Sequence, residues 1–232
     1  MRIWLLVLGT LAVMTMPGLT AIAPAAPAPS VAPKSWQLQF EFEDPRRLVI
    51  QLPGESKPRV YWYMLYTVTN NSNRDVQFMP RFEIVTDNLQ VLETDVTADP
   101  AVFAAIKKIH TKDRPFLLEP LEVLGKLLQG EDNAKDSVAI WQDFTGSDAR
   151  QFTIFVSGLS GEMVILPNPT YDSTKPEFIL KDLPGGIKTK VMVNPKRFVL
   201  HKTLSISYRL PGDDDARKQA DPIRQNVEWL MR

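Results

Sequence analysis

Five stretches of this chain carry residue types that could do chemistry. Ser157-Gly158-Leu159-Ser160-Gly161 approaches the sharp turn that lifts a serine nucleophile clear of a sheet. That turn needs Gly-x-Ser-x-Gly, and counting from Gly158 puts Glu162 in the last position. A loop after a strand is the reading taken. Gly125 and Gly130 are spaced like the outer glycines of a phosphate loop. Glu131-Asp132 then stands where Lys-Ser/Thr must follow, and carboxylates there repel phosphate. The chain has 2 histidines, His110 and His201, and neither sits in a His-Glu-x-x-His pattern. Asp213-Asp214-Asp215 offers hard oxygen ligands for calcium. A calcium-loop frame starting at Asp213 puts Lys218 where glycine is needed and Arg224 where the bidentate glutamate belongs. A solvated turn is favoured, with a site built from distant loops left open. Asn70-Asn71-Ser72 matches a glycosylation acceptor, although turn chemistry accounts for the same residues.

The strongest candidates for ligand contact are aromatic: Tyr61, Trp62, Tyr63 and Tyr66, with Trp141 downstream. Such side chains bring large contact area with few torsions to freeze, and they suit a sugar ring or a protein partner. Core packing explains the same residues and is the favoured reading. No catalytic, cofactor or metal residue is assigned, and no cofactor is expected.

The elements that would position these residues are mostly strands. Trp36, Leu38, Phe40 and Phe42 alternate with polar residues, the period of a half-buried strand. Val60 to Thr69 is apolar on both alternating sets. Tyr61, Tyr63 and Leu65 point one way and Trp62, Met64, Tyr66 and Val68 the other, so this strand should be central and covered on both sides. Further strands are expected at Leu48–Leu52, Val76–Ile84 (with Pro80 marking an edge or bulge), Leu89–Leu92, Val123–Leu128, Val138–Trp141, Phe152–Val156, Phe178–Leu180, Val191–Val193 and Leu204–Leu210. Asp99 as N-cap with Pro100 behind it starts the one expected helix, with Val102, Phe103, Ile106 and Ile109 on its apolar face. Ile223 to Met231 fits helix or strand, with strand slightly preferred. Many strands and one short helix predict a mainly β protein, an antiparallel β-sandwich with one helical insertion.

Composition narrows the function. Lys+Arg and Asp+Glu are 27 each, without the basic excess that phosphate recognition requires, so nucleic acid is excluded as a partner. Cysteine is 0, which removes thiol catalysis, thiolate metal sites and disulfides. Met1 to Ala23 reads as a secretory signal peptide: Arg2, an apolar run to Met16, then small residues. The run is shorter than the ~20 residues of a spanning helix. Residues 24–34 form an Ala/Pro tract expected to act as a semi-rigid spacer, and residues 35–232 form the domain. The protein is accordingly expected to be periplasmic or extracellular, with no membrane span in its mature chain.

Tyr66 to Asp87, YTVTNNSNRDVQFMPRFEIVTD, resembles the opening hairpin of bacterial immunoglobulin-like extracytoplasmic domains. Leu127 to Phe144 is similar to the Gly-Glu turn before a later strand of such domains. With Phe152 to Glu162 added, the layout resembles uncharacterised secreted proteins of planctomycete-type bacteria. The resemblance spans about Trp36 to Leu210 and implies an immunoglobulin-like fold, with no catalytic residues to carry over. Two functions stay in play. One is a non-catalytic module that binds an envelope protein or polysaccharide. The other is a hydrolase or metal-dependent enzyme whose site is assembled from separated loops.

Overall fold

The computed structural model describes residues 26–32, 34–94, 99–182 and 188–232. The expected signal peptide, residues 1–23, lies outside these. In chain order the elements are β1 (Gln39–Phe42), β2 (Arg46–Ile50), β3 (Arg59–Thr69), β4 (Val76–Phe78), β5 (Arg81–Thr86), β6 (Val91–Glu93), α1 (Pro100–Ile109), β7 (Gly125–Leu127), β8 (Lys135–Gln142), β9 (Gln151–Ser157), β10 (Met163–Pro167), β11 (Phe178–Asp182), β12 (Lys188–Met192), β13 (Arg197–Arg209), α2 (Asp214–Arg217) and β14 (Ile223–Met231). The protein is mainly β, and every strand ladder is antiparallel. No helix among the described residues is long and apolar enough to cross a membrane.

β3 is the centre of the first sheet. β8 runs along one edge, placing Trp62 opposite Trp141. β1 and β2 lie end to end along the other edge. Phe42 is opposite Tyr66 and Arg46 is opposite Tyr63, so four steps along one strand match three along its partner. The extra residue is a β-bulge at Glu43-Asp44-Pro45, anchored by the Glu43 N–H on the Leu65 carbonyl at 3.0 Å. The bulge exchanges the faces of the strand. Phe40 and Phe42 point into the space between the sheets, whereas Leu48 and Ile50 point away from it.

The second sheet runs β6-β5-β9-β13-β14. Its inner face and that of the first sheet share one core, in which Trp62, Tyr66 and Trp141 meet Phe82, Phe152, Ile206 and Tyr208. The outer face of the first sheet is covered by α1, forming a second core of Leu48, Tyr61, Tyr63 and Leu65 with Val102, Phe103, Ile106 and Leu117. The alternation of β3 has its physical cause here: one set of residues fills the space between the sheets, and the other lies under the helix. α1 begins as the sequence dictates, with the Asp99 carboxylate accepting from the Ala101 N–H at 2.8 Å and Pro100 in the first turn. Ile109, expected on the apolar face, is instead 56 % exposed at the helix end.

Pro80 separates two strands of different sheets, because a residue without an N–H cannot continue either ladder. The C-terminal segment is a strand, β14. The Ala/Pro tract departs from a free spacer at its end. There the Ser30 N–H donates to Glu162 at 2.8 Å, and Lys202 donates to the Ser30 carbonyl at 3.1 Å.

β10 was not expected, and β13 extends well before Leu204. Together they form a two-stranded ribbon that continues past the second sheet, with Ile165 opposite Val199 and Leu166 opposite Phe198. β11 and β12 form a further hairpin within the same excursion of the chain, pairing Phe178 with Met192.

Candidate functional site: a two-faced apolar ribbon

The five aromatic residues read as candidate ligand contacts all lie inside the protein. Tyr61, Trp62, Tyr63, Tyr66 and Trp141 are each 4 % exposed or less. Tyr61 and Tyr63 sit under α1, and the other three pack between the sheets. Their polar atoms also turn inward. The Trp62 indole donates to Asp143 at 3.0 Å, and the Tyr63 hydroxyl lies 3.1 Å from His110 Nε2. Burial pushes the hydroxyls of Tyr63 and Tyr66 above the ordinary tyrosine value. None of the five offers a surface to a ligand.

The other stretches with chemical potential are also accounted for by structure. Asn70 is fully buried, its amide donating to the carbonyls of Arg74 and Leu127 at 2.8 and 2.9 Å. Its Oδ1 accepts from the Ser72 N–H and hydroxyl, an Asx turn. An amide held this way is closed to glycosylation in the folded protein. Asp213 caps α2, accepting from the Ala216 N–H, while Asp214 and Asp215 pair with Arg217 and Lys218. Among the described residues no three His, Asp or Glu side chains come together in a way that could hold a metal ion. Ser160 accepts from the Glu162 N–H and donates to the Trp36 carbonyl, so it is fixed in a loop. Gly158 in that loop has φ +83°, and a Cβ there would stand 2.5 Å from the Met79 carbonyl oxygen. His110 is buried beside Tyr63, and His201 stands exposed at the base of the ribbon.

A polar groove of about 690 Å³ opens beside this loop, lined by Lys34, Trp36, Gln37, Asn71, Asn73 and Arg74. Trp36 packs so closely on Gly161 that a Cβ there would lie 2.4 Å from the indole nitrogen. The ring thus serves to seat the incoming chain on the β9–β10 loop.

The ribbon is the feature that packing leaves unexplained. Side chains of opposed residues in a two-stranded ladder share a face. Met163, Ile165 and Val199 share one face and are 53, 52 and 48 % exposed. Val164, Leu166, Leu200 and Phe198 share the other, with Phe198 43 % exposed. The hairpin beyond adds Ile179, Leu180, Met192 and Val193, all between 44 and 69 % exposed. A one-sided amphipathic strand would hide its apolar set; this ribbon shows apolar residues on both sides. Between Met163 and His201 the sequence holds six basic residues against three acidic ones. The Lys190 ammonium lies over the Phe178 ring at 4.2 Å, placing a positive charge against the apolar surface itself.

The sequence pattern anticipates the hairpin, with strands at Phe178–Leu180 and Val191–Val193, but not the ribbon. Its signal was Val164-Ile165-Leu166 and Phe198-Val199-Leu200, two uninterrupted apolar triplets bounded by prolines and basic residues. Comparison with protein-family models, with curated proteins and with solved structures finds no match for this chain.

Proposed function

We propose that the protein is a non-catalytic binding module of the cell envelope, exported and then engaged through the β10–β13 ribbon and its β11–β12 hairpin. The observation that carries this reading is the apolar surface on both faces of the ribbon. Contiguous exposed apolar area of this kind marks a contact site in soluble proteins. The chemistry favours a protein partner over a polysaccharide, whose hydroxyls an aliphatic ribbon could not satisfy. The immunoglobulin-like resemblance fits this role, because in such sandwiches the framework holds the core and projecting segments make contacts. Export rests on the basic and apolar order of the first 23 residues.

The test replaces two exposed ribbon residues, Ile165→Glu and Leu180→Glu, in one variant. Its unfolding free energy should stay within about 0.5 kcal/mol of the parent, as surface changes do. Its co-sedimentation with the envelope fraction of its host should be lost. Undiminished co-sedimentation of the folded variant would remove the ribbon from the binding role.

A further inference from the structure

We infer that the occupant of the ribbon is a second copy of this chain, received on the connection that runs from Pro115 to Asn133. This inference rests on the reading of the ribbon as the contact surface and names what it contacts. Residues 115–133 form the second exposed apolar surface that packing leaves open. Phe116 is 83 % exposed, Leu121 58 % and Leu128 45 %. Around them stand Glu119, Glu122, Glu131 and Asp132, all exposed, against the single basic residue Lys126, which is itself paired with Asp75 at 2.7 Å. The ribbon is apolar with a basic excess of three, and this connection is apolar with an acidic excess of three. One chain therefore carries both halves of a complementary contact.

Their placement makes the exchange reciprocal. The Leu38 N–H donates to the Leu159 carbonyl at 2.8 Å, at the root of the ribbon. The strand that follows places Gln39 opposite Thr69, and the Gly130 N–H donates to the carbonyl of the adjacent Asn70 at 2.9 Å. The ribbon root and the end of the acidic connection thus share one end of the sandwich. A two-fold axis beyond that end lays each ribbon across the other copy's connection, giving two identical contacts and a closed dimer. Ribbon against ribbon would set like charges together; ribbon against connection brings opposite ones together.

The experiment is sedimentation of the purified protein, expressed from Met1, with charge reversals on each surface. The parent should be a dimer at micromolar concentration. Lys181→Glu with Lys190→Glu, or Glu119→Lys with Glu122→Lys, should weaken it by about 30-fold or more, the size of a hot-spot loss. The variant carrying all four reversals should recover the dimer, which a merely destabilised fold would not. A parent that stays monomeric up to about 100 μM overturns the inference, since that affinity is weaker than specific assembly requires. So does a dimer untouched by either pair. A monomer that floats with vesicles containing anionic lipid also overturns it and gives the ribbon a lipid surface instead. A monomer that still needs the ribbon to reach the envelope fraction refutes the second copy alone. One that reaches it without the ribbon refutes the proposed function as well.

Discussion

The carboxylate of Glu162 and the ammonium of Lys202 stand 3.4 Å apart with their side chains 6 and 4 % exposed, and Ser30 of the N-terminal tract bonds to both. Removing one partner of a buried ion pair leaves the other without compensation. Lys202→Met should therefore lower the unfolding midpoint. Ser30→Pro, which deletes the donor N–H and the hydroxyl from a segment already extended by prolines, should lower it less. Hydrogen bonds from Ser30, and then the charge of Lys202, hold the Glu162 carboxyl below the usual carboxylate range. A lowered carboxyl adds stability that is complete above the ordinary value of about 4.3 and is lost as pH falls through the lowered one. The stability gap between the parent and Glu162→Gln should hold steady from neutral pH to about 5 and close below that. Midpoints measured across this range check it; a gap that opens in acid contradicts the assignment.

The two sets of β3 side chains should cost similar amounts when truncated, because both are covered. Trp62→Ala empties space between the sheets and Tyr63→Ala empties space under α1. Each should cost about 3–5 kcal/mol, as large aromatic truncations in cores do. Urea titration measures both, and a midpoint equal to the parent's for either variant would show that face to be open.

His110 reports on the helix-covered core. Burial lowers its pKa from the ordinary 6.5, and Arg46 and Arg114 push the same way while Glu43 and Asp113 oppose them. A histidine kept neutral by the fold contributes stability that is full above its unfolded value and is lost as pH falls through the lowered one. The parent should therefore lose stability between pH 7.5 and 5.5. His110→Phe should lose less over the same interval, and equal slopes for the two would exclude His110 as the source.

Asn70 and Asn71 test the turn against the glycosylation reading. Asn70→Ala removes hydrogen bonds to the carbonyls of Arg74 and Leu127, the second of them buried, and should cost about 2–3 kcal/mol. Asn71→Ala, at an exposed position, should stay within about 0.5 kcal/mol. Chemical denaturation of both variants separates the roles, and equal midpoints would contradict the buried Asx turn.

Where burial and sequence pattern agree, the chain was readable. The alternation from Tyr61 to Val68 assigns each side chain to the core it enters, and Asp99-Pro100 places the start of α1 to the residue. The pairing of strands was less visible: nothing local to Pro80 says that Val76–Phe78 joins β7 while Arg81–Thr86 joins β9. The ribbon escaped for a different reason. Reading apolar residues as buried ones is the inference that turns pattern into structure, and Ile165, Leu180 and Val199 break it by being apolar and exposed. The aromatic cluster was open to both readings, with core packing the favoured one. Tyrosine and tryptophan suit both cores and contact sites, and only the two layers flanking β3 decide between them.

The bulge at Glu43-Asp44-Pro45 works as a reading-frame shift written in space. Before it, even-numbered residues serve the core between the sheets; after it, even-numbered residues serve the core beneath α1. Deleting one of the three would match three steps with three, so the bulge would vanish while Arg46 stays opposite Tyr63 and Leu48 opposite Tyr61. Deleting Arg47 with the bulge kept would instead turn Val49 toward α1 and Leu48 and Ile50 toward the other sheet, misassigning the apolar side chains to Ile50 at once. The loop from Gln51 to Pro58, which carries no such parity, is where length can vary among descendants of this sequence. Lineages that lose one residue at the bulge should keep β2 unchanged, whereas those that lose one within β2 should lose the bulge with it.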